Sequence, residues 1–219
     1  MAIRRYRRLR RYPVKGRRRR GFRRRRLFRR RKTPGVVYTK ITVVHTIDVP
    51  RNSPYMSPGE FNVSDLLELE KYREIFERVQ FTKVRVRVIP EFNISDTHEE
   101  RSPLYCIFPW HSPAVLSDTF NKYLTNDKAK VYRQTQKGTM TFIPNTIVYS
   151  MAAGGNTAST IRWKPVIERL DGSGKTTIFT GCVAFQGHAD MSEAKPASFN
   201  LIWDFYVKLS NLNTYNGGS

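Results

Sequence analysis

Residues 17–32 read RRRRGFRRRRLFRRRK, a run of Arg and Lys interrupted only by Gly21, Phe22, Leu27 and Phe28. No stretch constrains this chain more, because like charges at this density repel one another and leave too little apolar surface to offset the entropy of ordering. The run belongs to a longer arm: residues 1–32 hold 19 Lys and Arg and no Asp or Glu, and the first acid is Asp48. Of the chain's 39 bases and 18 acids, 20 bases and 18 acids remain for residues 33–219, a net of +2 against +19 for the arm. A polycation is joined to a nearly neutral body. The arm, bounded at 1–35, is expected to be disordered alone, the body at 36–210 to form one domain with a single core, and 211–219 to be a flexible tail.

Several function classes drop out at once. No run of 18 apolar residues exists to insert into a bilayer, and the charged N-terminus lacks the apolar centre of a secretory signal. Cys106 and Cys182 lie in apolar, strand-like stretches and read as buried thiols rather than a disulfide or metal site. The sequons Asn62-Val-Ser64 and Asn93-Ile-Ser95 are chance matches if there is no secretory route.

The body reads as strands. Val37, Thr39, Ile41, Val43, His45 and Ile47 alternate with Tyr38, Lys40, Thr42 and Thr46, and Pro50, Pro54, Pro58 and Gly59 then predict a loop. Leu69, Tyr72, Ile75, Phe76 and Val79 recur at threes and fours, which predicts a helix over 65–79 capped by Asn62 or Ser64, with Glu74 and Arg78 paired at i, i+4. FTKVRVRVIP, residues 81–90, turns Val84, Val86 and Val88 one way and Lys83, Arg85 and Arg87 the other, making one sheet face basic. Further strands are expected at 103–110, 137–144, 146–151, 160–169, 176–185 and 198–209. In the last, Phe199, Leu201, Trp203, Phe205, Val207 and Leu209 alternate with Asn200, Asp204 and Lys208. Eight strands, one short helix and no strand–helix–strand repetition predict an all-β, antiparallel sandwich or jelly roll. The long links 111–136, with a possible turn of helix in SPAVLSDTFNKYL, and 186–197 are surface excursions.

Catalytic motifs do not survive inspection. DGSGKTT, 171–177, resembles a phosphate-binding loop, but Arg169 stands where the first glycine is needed, so a hairpin turn is the simpler reading. His188, Asp190 and Glu193 share neither a strand face nor a helical spacing for metal binding, and His45, His98 and His111 have no nucleophile motif around them. No enzyme and no cofactor are expected.

The arm, in contrast, has the chemistry of a nucleic-acid ligand. Arg4, Arg5, Arg7, Arg8, Arg10, Arg11, Arg17, Arg18, Arg19, Arg20, Arg23, Arg24, Arg25, Arg26, Arg29, Arg30, Arg31 and Lys32 supply forked and point contacts to phosphate. Each such contact releases condensed counterions, with a salt slope of roughly 0.7 per contact on single strands. Phe22 and Phe28, with Tyr6 and Tyr12, lie between the bases and can stack on unpaired nucleobases. Lys83, Arg85 and Arg87 either continue this path or form an ordinary solvated sheet face, with Arg162 and Lys164 near them. An arm without fixed shape reads no base sequence.

A flexible polycation on a neutral sandwich is what a small shell requires, since a highly charged body would oppose packing against its own copies. The Arg-rich arm, FNVSDLLELEKYREIFERVQFTKVRVRVIPEFN, the run Trp163-Lys164-Pro165-Val166 and the closing FNLIWDFYVKLSNLN resemble the capsid proteins of circoviruses and cycloviruses. That resemblance implies one jelly-roll domain, about sixty copies in a T=1 icosahedral shell, and a circular single-stranded DNA genome inside. It also implies nuclear import through the arm by a host import receptor. Attachment to a host cell-surface receptor or glycosaminoglycan would use outer loops among 51–60, 111–136, 152–159 and 186–197. Virion and host nucleus are the implied locations. A ribosomal- or chromatin-like binder would share the arm but should carry a basic body; a membrane-active segment would need an apolar helical face that Pro13, Gly16 and Gly21 interrupt.

Overall fold

The structure, a computed structural model, describes residues 35–50, 53–91, 104–151, 157–168, 176–187 and 197–212. The arm through residue 34, the tail from 213, the glycine turn at 171–175, His98, His188, Asp190, Glu193 and the Asn93 sequon lie outside these residues.

Alternating sequence becomes two antiparallel sheets. One joins β1 (Val37–Val49), β3 (Phe76–Pro90), β6 (Gly138–Phe142), β9 (Val166–Glu168) and β11 (Ala197–Leu212) in the order β1-β11-β3-β6, with β9 also on β3. The other joins β2 (Tyr55–Asn62), β4 (Leu104–Pro109), β5 (Lys130–Arg133), β7 (Asn145–Met151), β8 (Thr157–Trp163) and β10 (Thr177–Phe185) in the order β5-β4-β10-β7-β8, with β2 also on β10. Early strands pair with late ones, β1 with β11 and β2 with β10, as in a long hairpin rolled up on itself. The result is the expected jelly roll.

Period-two alternation explains where the core sits. Val84, Val86 and Val88 of β3 and Leu201, Trp203, Phe205 and Val207 of β11 turn inward against Tyr105, Ile107, Ile178, Val183 and Phe185 of the opposing sheet. Each fully buried side chain of this size contributes about 1.5–3 kcal/mol. Phe61 edges onto Trp203 at 5.2 Å and Phe205 at 4.9 Å, the T-shaped geometry that ring quadrupoles favour. Strands β4 and β10 are buried on both faces, because a second cluster of Cys106, Phe108, Cys182 and Ala184 packs under Phe120 and Tyr123 beside α2 (Asn121–Leu124). This accounts for the near-continuous apolar run of β10. Both cysteines are buried and unbridged, as expected.

Three local expectations are corrected. The predicted helix over 65–79 is two 3-10 turns, Val63–Asp65 and Leu67–Leu69, followed by one turn of α1 (Glu70–Arg73). From Phe76 the chain is extended, because β11 offers backbone pairing along the whole of β3, down to Leu212 opposite Phe76. A bulge at Thr82, whose Oγ1 donates to the Tyr206 carbonyl at 2.8 Å, inserts a three-residue step into the apolar pattern between Phe81 and Val84. Arg78 accordingly reaches across to Glu168 at 3.8 Å rather than back to Glu74. At the start of this segment the Asn62 N–H donates to Asp65 Oδ2 at 3.0 Å.

The second correction concerns 51–60, expected as a loop, where residues 55–62 form β2 despite Pro58 and Gly59. The register slips between Phe179 and Cys182, and Gly59 lies so close to Thr180 Oγ1 and the Trp203 ring that any Cβ would collide. Thirdly, 160–169 is not one strand: Lys164, at φ 52°, and Pro165 separate β8 from β9. With β2 and β5 unforeseen and 160–169 divided between β8 and β9, the described residues hold eleven strands, and the other seven expected ones are among them.

Candidate nucleic-acid interface

Of the residues assigned to nucleic acid, Arg4 to Lys32 lie outside the described part of the chain, while Lys83, Arg85 and Arg87 stand on the outer face of the five-stranded sheet. Their placement follows from β3 itself: with Val84, Val86 and Val88 turned to the core, the intervening residues must face outward. Register then brings β11 and β1 alongside, with Arg85 opposite Asp204 and Lys83 opposite Tyr206 on one side, and Thr42 opposite Asp204 and Lys40 opposite Tyr206 on the other.

Asp204 is the centre of this group. Its side chain is 0% exposed, although it belongs to the outward row, because the longer cationic side chains close over it. Arg85 donates from Nε at 3.1 Å and from Nη2 at 2.7 Å to Oδ2, and Arg87 donates from Nη2 at 3.0 Å to Oδ1. Thr42 Oγ1 donates to Oδ1 at 3.1 Å, and Lys40 Nζ lies 3.5 Å from the same oxygen. Burial alone would raise the Asp204 pKa, but the hydrogen bonds from Arg85, Arg87 and Thr42 together outweigh it and hold the carboxyl at about 2. Lys83 Nζ sits 4.2 Å over the centre of the Tyr206 ring, with the Arg85 guanidinium carbon at 5.9 Å. Three cations thus meet one carboxylate and Lys83 stands beside them over the Tyr206 ring, a local net charge of +3.

This geometry joins the two sequence readings of the stripe. Arg85 and Arg87 have a partner on the sheet, yet one carboxylate cannot neutralise four cations. Arg87 Nε is buried and has no hydrogen-bond partner among the described residues. Sequence reasoning found the stripe and the outward position of Asp204, but not their meeting. The signal was available: Asp204 is the one acid in the outward row of a strand otherwise carrying Asn200 and Lys208.

Elsewhere the titratable groups serve packing. His111 Nδ1 is 2.9 Å from Asn145 Oδ1, and Asn145 Nδ2 donates to the His111 carbonyl at 3.1 Å. His45 stacks on Phe61 at 5.9 Å. Burial pushes the Cys106 thiol up to about 12 and raises Cys182 as well. Among the described residues no group of three or more His, Cys, Asp or Glu gathers as a metal site, and no helix is long and apolar enough to cross a membrane.

A rolled antiparallel sandwich is an architecture of viral capsid proteins, shared with lectins and cupins. The family model described as "Circovirus capsid protein" matches residues 1–213, and the chain belongs to that family. The capsid protein of Human associated cyclovirus 1 is 32% identical over 161 residues, covering 72% of this chain and 74% of that one. The 60-mer crystal structure of BFDV capsid protein shares the fold at a TM-score of 0.62 and 10% identity, over 84% of this chain and 98% of that chain. The decameric BFDV capsid protein gives 0.52 at 10% identity, over 80% and 99%.

Proposed function

We propose that this capsid protein builds a small shell of about sixty copies and packages circular single-stranded DNA on its arm, with the Lys83/Arg85/Arg87 face as a second, weaker contact. The segregation of charge carries this reading: 19 bases without an acid in residues 1–32, against a net of +2 over the rest. A nearly neutral body can meet its own copies without strong repulsion, and the arm finds its counterions only on a polyanion. Sixty such arms would bring roughly 1,100 positive charges, the order of magnitude of the phosphates in a genome of one to two thousand nucleotides. Arm residues 4–32 supply phosphate contacts, and Phe22 and Phe28 supply stacking surfaces.

The same arm serves nuclear import. Fully extended it spans about 100 Å, enough to present its basic run to an import receptor. The excursion at 111–136 is a candidate for attachment to a host receptor or glycosaminoglycan. Virion and host nucleus follow as locations.

The test is assembly with single-stranded DNA at moderate salt, followed by negative-stain microscopy. Full-length protein is expected to give uniform particles, whereas a version starting at Thr33 is expected to fold but bind DNA poorly. Tight DNA binding by the shortened version, with monomers at every ionic strength, would instead mark a simple nucleic-acid binder.

A further inference from the structure

The outward row of the five-stranded sheet continues past the Asp204 group towards the start of β1. Register sets Tyr38 opposite Lys208 and Lys40 opposite Tyr206, and Tyr38 and Lys40, two residues apart, point the same way. Lys40, Lys83, Arg85, Arg87 and Lys208 therefore share this face with Asp204, five cations against one carboxylate and a net of +4. The acids at its rim have partners of their own: Glu168 meets Arg78 at 3.8 Å, Glu91 accepts from Asn200 at 3.0 Å, and Asp48 accepts from Ser198.

The two tyrosines among these cations differ. Lys83 Nζ stands 4.2 Å over the Tyr206 ring and occupies that side of it. Tyr38 is 67% exposed, and among the described residues no ring stacks on it and no cation covers it. An exposed aromatic on its own is ordinary surface. Here it is bracketed by Lys40 along its strand, about 7 Å away, and by Lys208 across the ladder, about 5 Å away between Cβ atoms. An open ring between cations suits unpaired nucleotides, since phosphates go to the cations while a base lies flat on the ring. A duplex keeps its bases stacked on one another, and a sulfated sugar chain has no bases, so both find the cations but have no use for the ring. Tyr38 is also six residues from Lys32 in the chain, a span of about 20 Å at most, so DNA held by the arm is tethered near it. We propose that Tyr38 is a base-stacking platform that makes this face selective for single-stranded over duplex DNA. The inference rests on the DNA-packaging reading and names the form of DNA that the face takes.

The experiment uses the full chain with single-stranded oligonucleotides carrying 5-bromouracil, irradiated and then digested with trypsin. Cleavage after Lys32 and Lys40 releases residues 33–40, in which Tyr38 is the one aromatic residue. A cross-link on this peptide is expected with the single strand and not with the same sequence as a duplex. Independently, Tyr38→Ala is expected to weaken binding of a single-stranded oligonucleotide about five- to a hundredfold, leaving its salt slope, duplex binding and heparin binding unchanged. Tyr38→Phe, which keeps a ring, is expected to restore single-strand binding to within about twofold of wild type. The side chain is exposed, so the melting temperature should stay that of wild type; were Tyr38→Ala to lower it, the wild-type cross-link still decides. Cross-links confined to residues 1–32, or equal losses on single strand, duplex and heparin, overturn the platform while leaving DNA packaging by the arm intact. No cross-link anywhere and no DNA binding by the wild-type chain would overturn the packaging reading itself, and the platform with it.

Discussion

Replacing Asp204 with Asn tests both the outer face and its proposed ligand. The carboxyl is 0% exposed and sits at about 2 rather than its ordinary 3.8, so folding favours its ionised form by roughly 2–3 kcal/mol. Geometry leads to the same size: the carboxylate receives charge-assisted hydrogen bonds from Arg85 and Arg87, and truncating one partner of a buried ion pair costs about 3–5 kcal/mol. Arg85 and Arg87 keep 37% and 35% of their side-chain surface in water, which softens the loss, and about 3 kcal/mol is expected. For a chain of this length that lowers Tm by roughly 6–12 °C. The exposed Glu91→Gln, which only weakens a contact with Asn200, should change stability by less than about 0.5 kcal/mol. The sign with pH is fixed by the depressed value. Stabilisation is fully present above the unfolded carboxyl pKa near 4 and is lost as pH falls through the folded value of about 2, so Asp204→Asn should flatten this part of the acid limb. The variant also removes one negative charge from the face, so DNA affinity should rise and its salt slope steepen by about 0.7. A stability loss no larger than that of Glu91→Gln would refute the account of the buried carboxylate; unchanged DNA binding at all salt concentrations would remove the face from the DNA path.

Other expectations follow from packing. Trp203→Ala should cost about 3–5 kcal/mol by urea unfolding, since the ring is buried and edged by Phe61. Gly181→Ala should lower Tm markedly, because its Cβ would strike the Phe142 ring and lie 2.8 Å from the Phe108 carbonyl oxygen. Cys106 and Cys182 should resist thiol reagents near neutral pH until the protein unfolds, as burial raises both pKa values. Lys83→Ala, which removes the cation over Tyr206, should leave melting within about 1 kcal/mol of wild type and reduce the DNA salt slope by about 0.7.

What the sequence disclosed follows from the range of each signal. Alternation is local, so Val84, Val86 and Val88, and Leu201 to Leu209, declared both their strands and their inward faces. Strand β2 stayed hidden because Pro58 and Gly59 are turn residues by composition, and only the partner β10, with its slipped register, makes them fit. Tyr72, Phe76 and Val79 satisfy a helical spacing as well as an interrupted strand, and tertiary pairing with β11 decided between them. The basic stripe was legible, but its counter-charge lies 117 and 119 positions away on another strand. Such a meeting depends on register between distant segments, which no local pattern contains.

The placement of β11 between β1 and β3 has a consequence for biosynthesis. Residues 37–49 must wait for residues 197–212 to emerge from the ribosome, a delay of roughly 10–30 s at ordinary elongation rates. Until then β1 lacks its β11 partner and β3 one of its ladder neighbours, while the polycationic N-terminus is already outside. The nascent chain thus meets cellular polyanions before it can meet its siblings.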